Sequence, residues 1–179
     1  MINKILETLK GDNDNKFFDG VSEAEINDFE SKINVKLPDL LKKLYLEING
    51  GYDGSLLEFY SLEKVKNIDN FDFGYFAENK SGKNIIWSLN ENDVKKCFIK
   101  NYKFYYSFMN YNFGGAYWFI NLNKYDKKYG EILLLYNHLN EYYKCQSNID
   151  NFFKLYTDYG SIEILLDSEI EIKKYLKEK

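Results

Sequence analysis

The stretch VSEAEINDFESKINVKLPDLLKKLYLEINGG, Val21 to Gly51, holds the single proline of the chain and its strongest helix start and stop signals. Ser22 and Glu25 have capping-box spacing, in which the Ser22 hydroxyl accepts from the Glu25 N–H and the Glu25 carboxylate accepts from the Ser22 N–H. Val21 and Ile26 supply the accompanying hydrophobic staple. Ile26, Phe29 and Ile33 then recur at helical spacing as one narrow apolar stripe. Pro38 suits the first position of a second helix, where a missing N–H costs nothing. Leu40, Leu41, Leu44, Tyr45 and Ile48 give that helix a broad apolar face. Asn49-Gly50-Gly51 reads as its stop, because glycine accepts the left-handed conformation of a C-terminal cap.

Read together, Ile26, Phe29, Glu30, Leu37, Pro38, Asn49, Gly50 and Gly51 resemble the signature of the SUKH superfamily. That signature is a helix with I-x-x-F-E, a Leu-Pro start, a second helix and Asn-Gly-Gly. An aromatic strand with a short "sLeev" segment comes next in the family, and Phe59-Tyr60-Ser61-Leu62-Glu63-Lys64-Val65 fits it. The resemblance covers the first third of the chain and implies structural roles for Ile26, Phe29, Leu37, Pro38 and Gly50. Glu30 has two readings: a ligand for a partner's basic residue, or, as favoured, a helix-face carboxylate that pairs with lysine or caps a neighbouring element.

Outward from this stretch, 179 residues predict one domain over 1–179, long enough to bury a core. Hydrophobic residues at 45% and aromatics at 18% argue for a folded, ring-rich interior rather than disorder. Met1 to Lys10 reads as a first helix, and 11–15 as a loop of turn residues. Leu56 to Ser61 reads as a strand, Leu62 to Lys66 as one helical turn, and 67–82 as a polar excursion. Ile85 to Trp87 is a strand candidate and Ser88 to Lys96 a brief helix. In the aromatic run that follows, Tyr102, Phe104, Tyr106 and Phe108 alternate with Lys103, Tyr105, Ser107 and Met109. That run pairs with Ala116 to Asn121 as a hairpin. Glu131 to Tyr136 reads as a central strand, Ser147 as the N-cap of a helix ending at Tyr159-Gly160, and Ser168 to Lys177 as a final helix. The expected fold is α+β: N-terminal helices, a central antiparallel sheet of about five to six strands, and C-terminal helices packing on it.

Chemistry is sparse along the chain. His138 reads as a solvent-facing turn or strand-end residue rather than a general base. Cys97 and Cys145 have no CxxC partner and read as reduced thiols. No clustered Cys and His suggest zinc, and no glycine-rich loop precedes a helix as phosphate binding requires. No catalytic residue, metal or cofactor is therefore expected, although a carboxylate pair for hydrolysis could hide among the 28 acids. A net charge of −4, with lysine supplying every positive side chain, disfavours nucleic acid. No apolar run approaches the roughly 18 residues of a membrane span, and the N-terminus lacks the features of a signal peptide. A cytoplasmic location is expected.

Binding is what remains. The resemblance implies a bacterial immunity protein, monomer favoured, that neutralises a cognate toxin domain with a basic surface, a nuclease among the possible toxins. Fungal relatives, which act in cell-wall control through protein contacts, imply a regulatory or scaffold module as the alternative. A carboxylate-dependent hydrolase is the third reading. Acids beside exposed rings suit a protein-binding patch, and Asp53, Glu58, Tyr111, Asn112 and Phe113 are the expected contact residues.

Overall fold

The computed structural model describes residues 1–11, 15–54, 56–68, 104–111, 114–136, 141–146 and 148–159. Helix α1 spans Ile2–Lys10, strand β1 Lys16–Asp19, helix α2 Glu23–Ile33 and helix α3 Asp39–Glu47. Strands β2 Ile48–Tyr52 and β3 Leu57–Phe59 follow, then a 3-10 turn over Leu62–Lys64. Strands β4 Tyr105–Tyr111, β5 Ala116–Asn121, β6 Ile132–Tyr136 and β7 Glu141–Gln146 lead to helix α4, Ile149–Tyr159. The fold is α+β, and its strands form one antiparallel meander in the order β1 to β7.

Local signals set the helices. Ser22 caps α2 with both halves of the capping box, the Glu25 amide donating to the Ser22 hydroxyl and the Ser22 amide to the Glu25 carboxylate. The Ser22 amide, with its hydroxyl, holds the Glu25 carboxyl below its ordinary value. Asn34 closes α2 in the left-handed conformation at φ 52°. Pro38 stands one residue before its expected place, as the N-cap of α3, and its carbonyl accepts from the Lys42 amide at 3.0 Å. At α4 the cap is Asn148, whose Oδ1 accepts from the Asn151 amide at 2.8 Å. Ser147 lies outside the described residues, as do the candidates at 85–87, 88–96 and 168–177, most of 67–82, and His138 and Cys97.

Helices and sheet meet in one apolar core. Ile5 and Leu9 of α1, Ile26 of α2, Leu40, Leu41, Leu44 and Tyr45 of α3, and Ile149, Phe152, Phe153 and Tyr156 of α4 are buried against it. Phe152 sits at the centre, edge-on to Phe108 at 5.6 Å, Trp118 at 6.2 Å and Phe153 at 5.3 Å. Each such side chain contributes roughly 1.5–3 kcal/mol by leaving water, and edge-on ring pairs add to that.

The sheet departs from simple alternation at three places. Between β4 and β5 the register slips so that Ser107 faces Phe119 and Met109 faces Trp118. Phe108 is the extra residue, and this bulge turns Met109 to the core side with Tyr106 and Phe108, whereas strict alternation assigned it to the opposite face. A second slip leaves Phe18 without a ladder partner in β1, and a third falls between β6 and β7, beside Cys145. Strands β4 and β5 are buried on both faces, with Tyr105, Ser107, Tyr117 and Phe119 opposite the main core.

Candidate protein-binding surface

Glu30 forms the joint between α2 and α3. The helix stripe that buries Ile26 also carries Glu30 inward, leaving the residue 1% exposed. Its carboxylate accepts from the Leu37 amide at 2.9 Å and pairs with Lys42 at 2.8 Å and with Lys36. Burial works to raise this carboxyl; the Lys36 and Lys42 ammoniums and the Leu37 N–H outweigh it, so the group titrates below its ordinary value. The loop is pinned again where the Tyr129 hydroxyl donates to the Lys36 carbonyl at 3.0 Å. Burial, with the Glu30 and Asp39 charges, pushes Tyr129 up to about 12. Glu30 is thus bound to its own chain, with no face left for a partner's cation.

Asn49-Gly50-Gly51 proves to be part of β2 rather than the cap of α3. The helix ends directly into the strand, Ile48 being extended at φ −143° and ψ 133°. The Asn49 side chain accepts from the Leu62 amide at 2.8 Å and so starts the 3-10 turn. Gly50, at φ 81°, leaves no space for a Cβ, which would stand 2.4 Å from the Ser61 nitrogen. Gly51 is pressed in the same way by the Lys16 carbonyl, at 2.3 Å from where its Cβ would be. The two glycines let β1 and the Ser61 segment close on β2 from both sides. The two halves of the sequence signature, Asn-Gly-Gly and Ser61-Leu62, are one contact in space.

Of the five expected contact residues three are described, and among these Tyr111 and Glu58 fall on opposite faces of the sheet. Asp53 closes the β2–β3 hairpin, its Oδ1 accepting from the Leu57 amide at 3.0 Å and its Oδ2 from the Tyr156 hydroxyl at 3.3 Å. Tyr111 faces Leu57 and is half-buried against the core. Glu58 belongs to the opposite face of the sheet, in a row that the register defines as Tyr52, Glu58, Asn110 and Tyr117. There its carboxylate accepts from the Tyr52 hydroxyl at 3.1 Å, from Lys64 at 2.8 Å and from Asn110. Asn110 in turn donates to the Tyr60 hydroxyl at 3.1 Å. Burial first, then the Glu58 charge, raises the Tyr52 phenol. Asn112 and Phe113 lie outside the described residues.

Exposed large apolar side chains stand at Tyr52 and Leu56 in the β2–β3 hairpin, at Tyr125, and at the β1 edge. Phe18 is 61% exposed and Leu46 37%. The run from Asp19 to Val21 lies directly on the run from Tyr45 to Ile48. Asp19 pairs with Ile48, a Cβ on Gly20 would strike the Leu46 carbonyl, and the Val21 amide donates to the Tyr45 carbonyl at 2.9 Å. Asp19, Glu23, Asp28 and Glu47 are exposed on these elements and form no ion pair among the described residues. Lys16 and Lys43 border the same region. Sequence reading passed over Phe18 because Lys16-Phe17-Phe18-Asp19 is too short to show alternation. Its position between a turn-rich run and a capping box was the available signal. Among the described residues, no group of three or more His, Cys, Asp or Glu is placed to hold a metal, and no helix is long and apolar enough to cross a membrane.

Helices on an antiparallel meander, with motif residues serving as the joints between them, define an α+β domain whose signature is architectural. The model of the SMI1 / KNR4 family (SUKH-1) matches residues 20–155, and the chain belongs to this family. No curated protein matches the chain.

Proposed function

We propose that this chain is a bacterial immunity protein that acts in the cytoplasm by binding, and thereby neutralising, a cognate toxin domain with a basic surface. Membership of the SUKH-1 family supports a protein-binding role. The observation that carries the reading further is the net charge of −4, to which the exposed carboxylates of Asp19, Glu23, Asp28 and Glu47 on β1, α2 and α3 contribute more than the exposed Lys16, Lys32 and Lys43 of the same elements offset. Net negative charge on a rigid scaffold steers a basic partner and speeds its association at low salt. A nuclease, whose own surface must attract phosphates, is such a partner.

The buried carboxylates favour a binder over a hydrolase. Glu30 is held by lysines and a backbone amide, and Glu131 accepts from the Tyr105 hydroxyl at 2.8 Å. Each serves the fold, which is not how an acid–base pair facing a substrate is arranged. The test is co-expression with the toxin domain encoded beside this gene. Restored growth and a complex that co-purifies are the expected results. Failure of both removes the immunity reading, and a stable complex with a cellular regulator instead would make the chain a regulatory or scaffold module.

A further inference from the structure

We propose that Asn49-Gly50 is a self-modification site, shielded while β2 lies against the Ser61 segment and converted to isoaspartate when that joint opens. It is the single Asn-Gly pair in the chain, and the fold demands both members. The Asn49 side chain supplies the oxygen to which the Leu62 amide donates at 2.8 Å. Gly50, at φ 81°, has no room for a Cβ beneath the Ser61 nitrogen. A glycine here also leaves its own amide nitrogen open to the side chain before it, since no Cβ screens the approach. A thermolabile asparagine in its most reactive sequence context therefore sits where two segments of the fold meet.

The reaction needs solvent alone. The Gly50 nitrogen loses its proton to hydroxide and attacks Cγ of Asn49, forming an N–C bond. The Cγ–Nδ2 bond then breaks and ammonia leaves, taking a proton from water, which gives a five-membered succinimide. Water opens the ring at either carbonyl, to aspartate or to isoaspartate, in which the main chain runs through the former side chain and is one methylene longer. Ring closure requires the Asn49 side chain to fold back along its own main chain. In the strand it stands roughly perpendicular to the sheet, and the Leu62 amide holds it there. Reaction is thus confined to molecules in which the joint has opened, and its rate in the folded chain is the open-chain rate multiplied by the open fraction. The aspartate product keeps an oxygen for the Leu62 amide. The isoaspartate product cannot return, because the added methylene displaces Gly50 and Gly51 from the Ser61 and Lys16 backbones that close on them.

The experiment is independent of what the chain binds. It compares the full chain folded in buffer with the same chain unfolded in guanidinium chloride, at equal, mildly alkaline pH. Trypsin releases the peptide from Leu44 to Lys64, in which Asn49 carries the only side-chain amide, so its gain in mass reports this site alone. The unfolded chain is expected to gain mass, faster as pH rises, and the folded chain to do so more slowly by about tenfold or more. Asn49→Asp, expected to fold as the parent does and to gain no mass, provides the standard for the aspartate product. The isoaspartate form, separated from that standard by chromatography, is expected not to recover the near-ultraviolet dichroism of the parent. A folded-chain rate within about threefold of the unfolded one overturns the shielding. An unfolded chain that gains no mass overturns the site, and an isoaspartate form that refolds overturns the block on return.

Discussion

Replacing Glu30 by glutamine and by alanine separates the two things its carboxylate does for the α2–α3 joint. Both substitutions remove the negative charge opposite Lys36 and Lys42, but glutamine keeps an oxygen for the Leu37 amide. The lysines are partly exposed, so each can swing into water when its partner is gone, and each pair accounts for up to about 1 kcal/mol. The Leu37 N–H has no such escape, and leaving a buried donor unsatisfied costs about 1–3 kcal/mol. Glu30→Gln is therefore expected to destabilise by about 1–2 kcal/mol and Glu30→Ala by about 3–4 kcal/mol. Urea denaturation at pH 7, with midpoints compared at constant m, measures both. The pH dependence has a definite sign. The folded-state value of Glu30 is depressed below the ordinary 4.5, so its ionised form contributes in full above 4.5, and that contribution is lost as pH falls through the folded value. The gap between the parent chain and Glu30→Gln should hold from pH 7 down to about pH 5 and close below it. Equal, small effects of the two substitutions, or a gap that widens on acidification, would refute the reasoning.

Three further substitutions test other joints. Ser22→Ala removes the α2 cap and should cost about 1 kcal/mol, read as a fall of about 2–4 °C in thermal midpoint for a chain of this size. Gly50→Ala and Gly130→Ala form a matched pair, since both glycines have φ 81° but only Gly50 is crowded; the nearest neighbours of a Cβ at Gly130 are 3.9 Å away. Gly130→Ala should show the conformational penalty alone, about 1–2 kcal/mol, while Gly50→Ala must also push Ser61 aside and should cost visibly more in the same denaturation assay. Phe152→Ala empties the centre of the ring cluster and should cost about 3–5 kcal/mol, with loss of near-ultraviolet dichroism from the packed aromatic residues.

The parts of the fold legible in the sequence are those decided within a few residues. The capping box at Ser22 and Glu25 was readable down to its donors and acceptors, because both partners lie within one turn. The apolar faces of α3 and α4, and the β4–β5 hairpin, follow from periodicity in the same way. Met109 was assigned to the wrong face because a bulge adds one residue to a strand without leaving a composition signal. Asn49-Gly50-Gly51 was misread for a deeper reason. A left-handed glycine after a helix and a glycine under a crossing backbone look identical in sequence, and only Ser61 and Lys16, brought from either side, distinguish them.

That ambiguity also hid the first strand of the sheet. Once Asn-Gly-Gly is a helix stop, nothing requires a strand beside it, and Lys16 to Asp19 passes for loop. Once it is a strand whose two glycines admit close neighbours, one side must be filled by the Ser61 segment and the other by a short run arriving before α2. That run is Lys16 to Asp19, and its pairing with Gly51 and Ile48 places Phe18 at the rim of the sheet. The signature residues are therefore joints of the fold. They hold the strand on which the exposed ring stands, Gly51 under Lys16 on one side and Gly50 under Ser61 on the other.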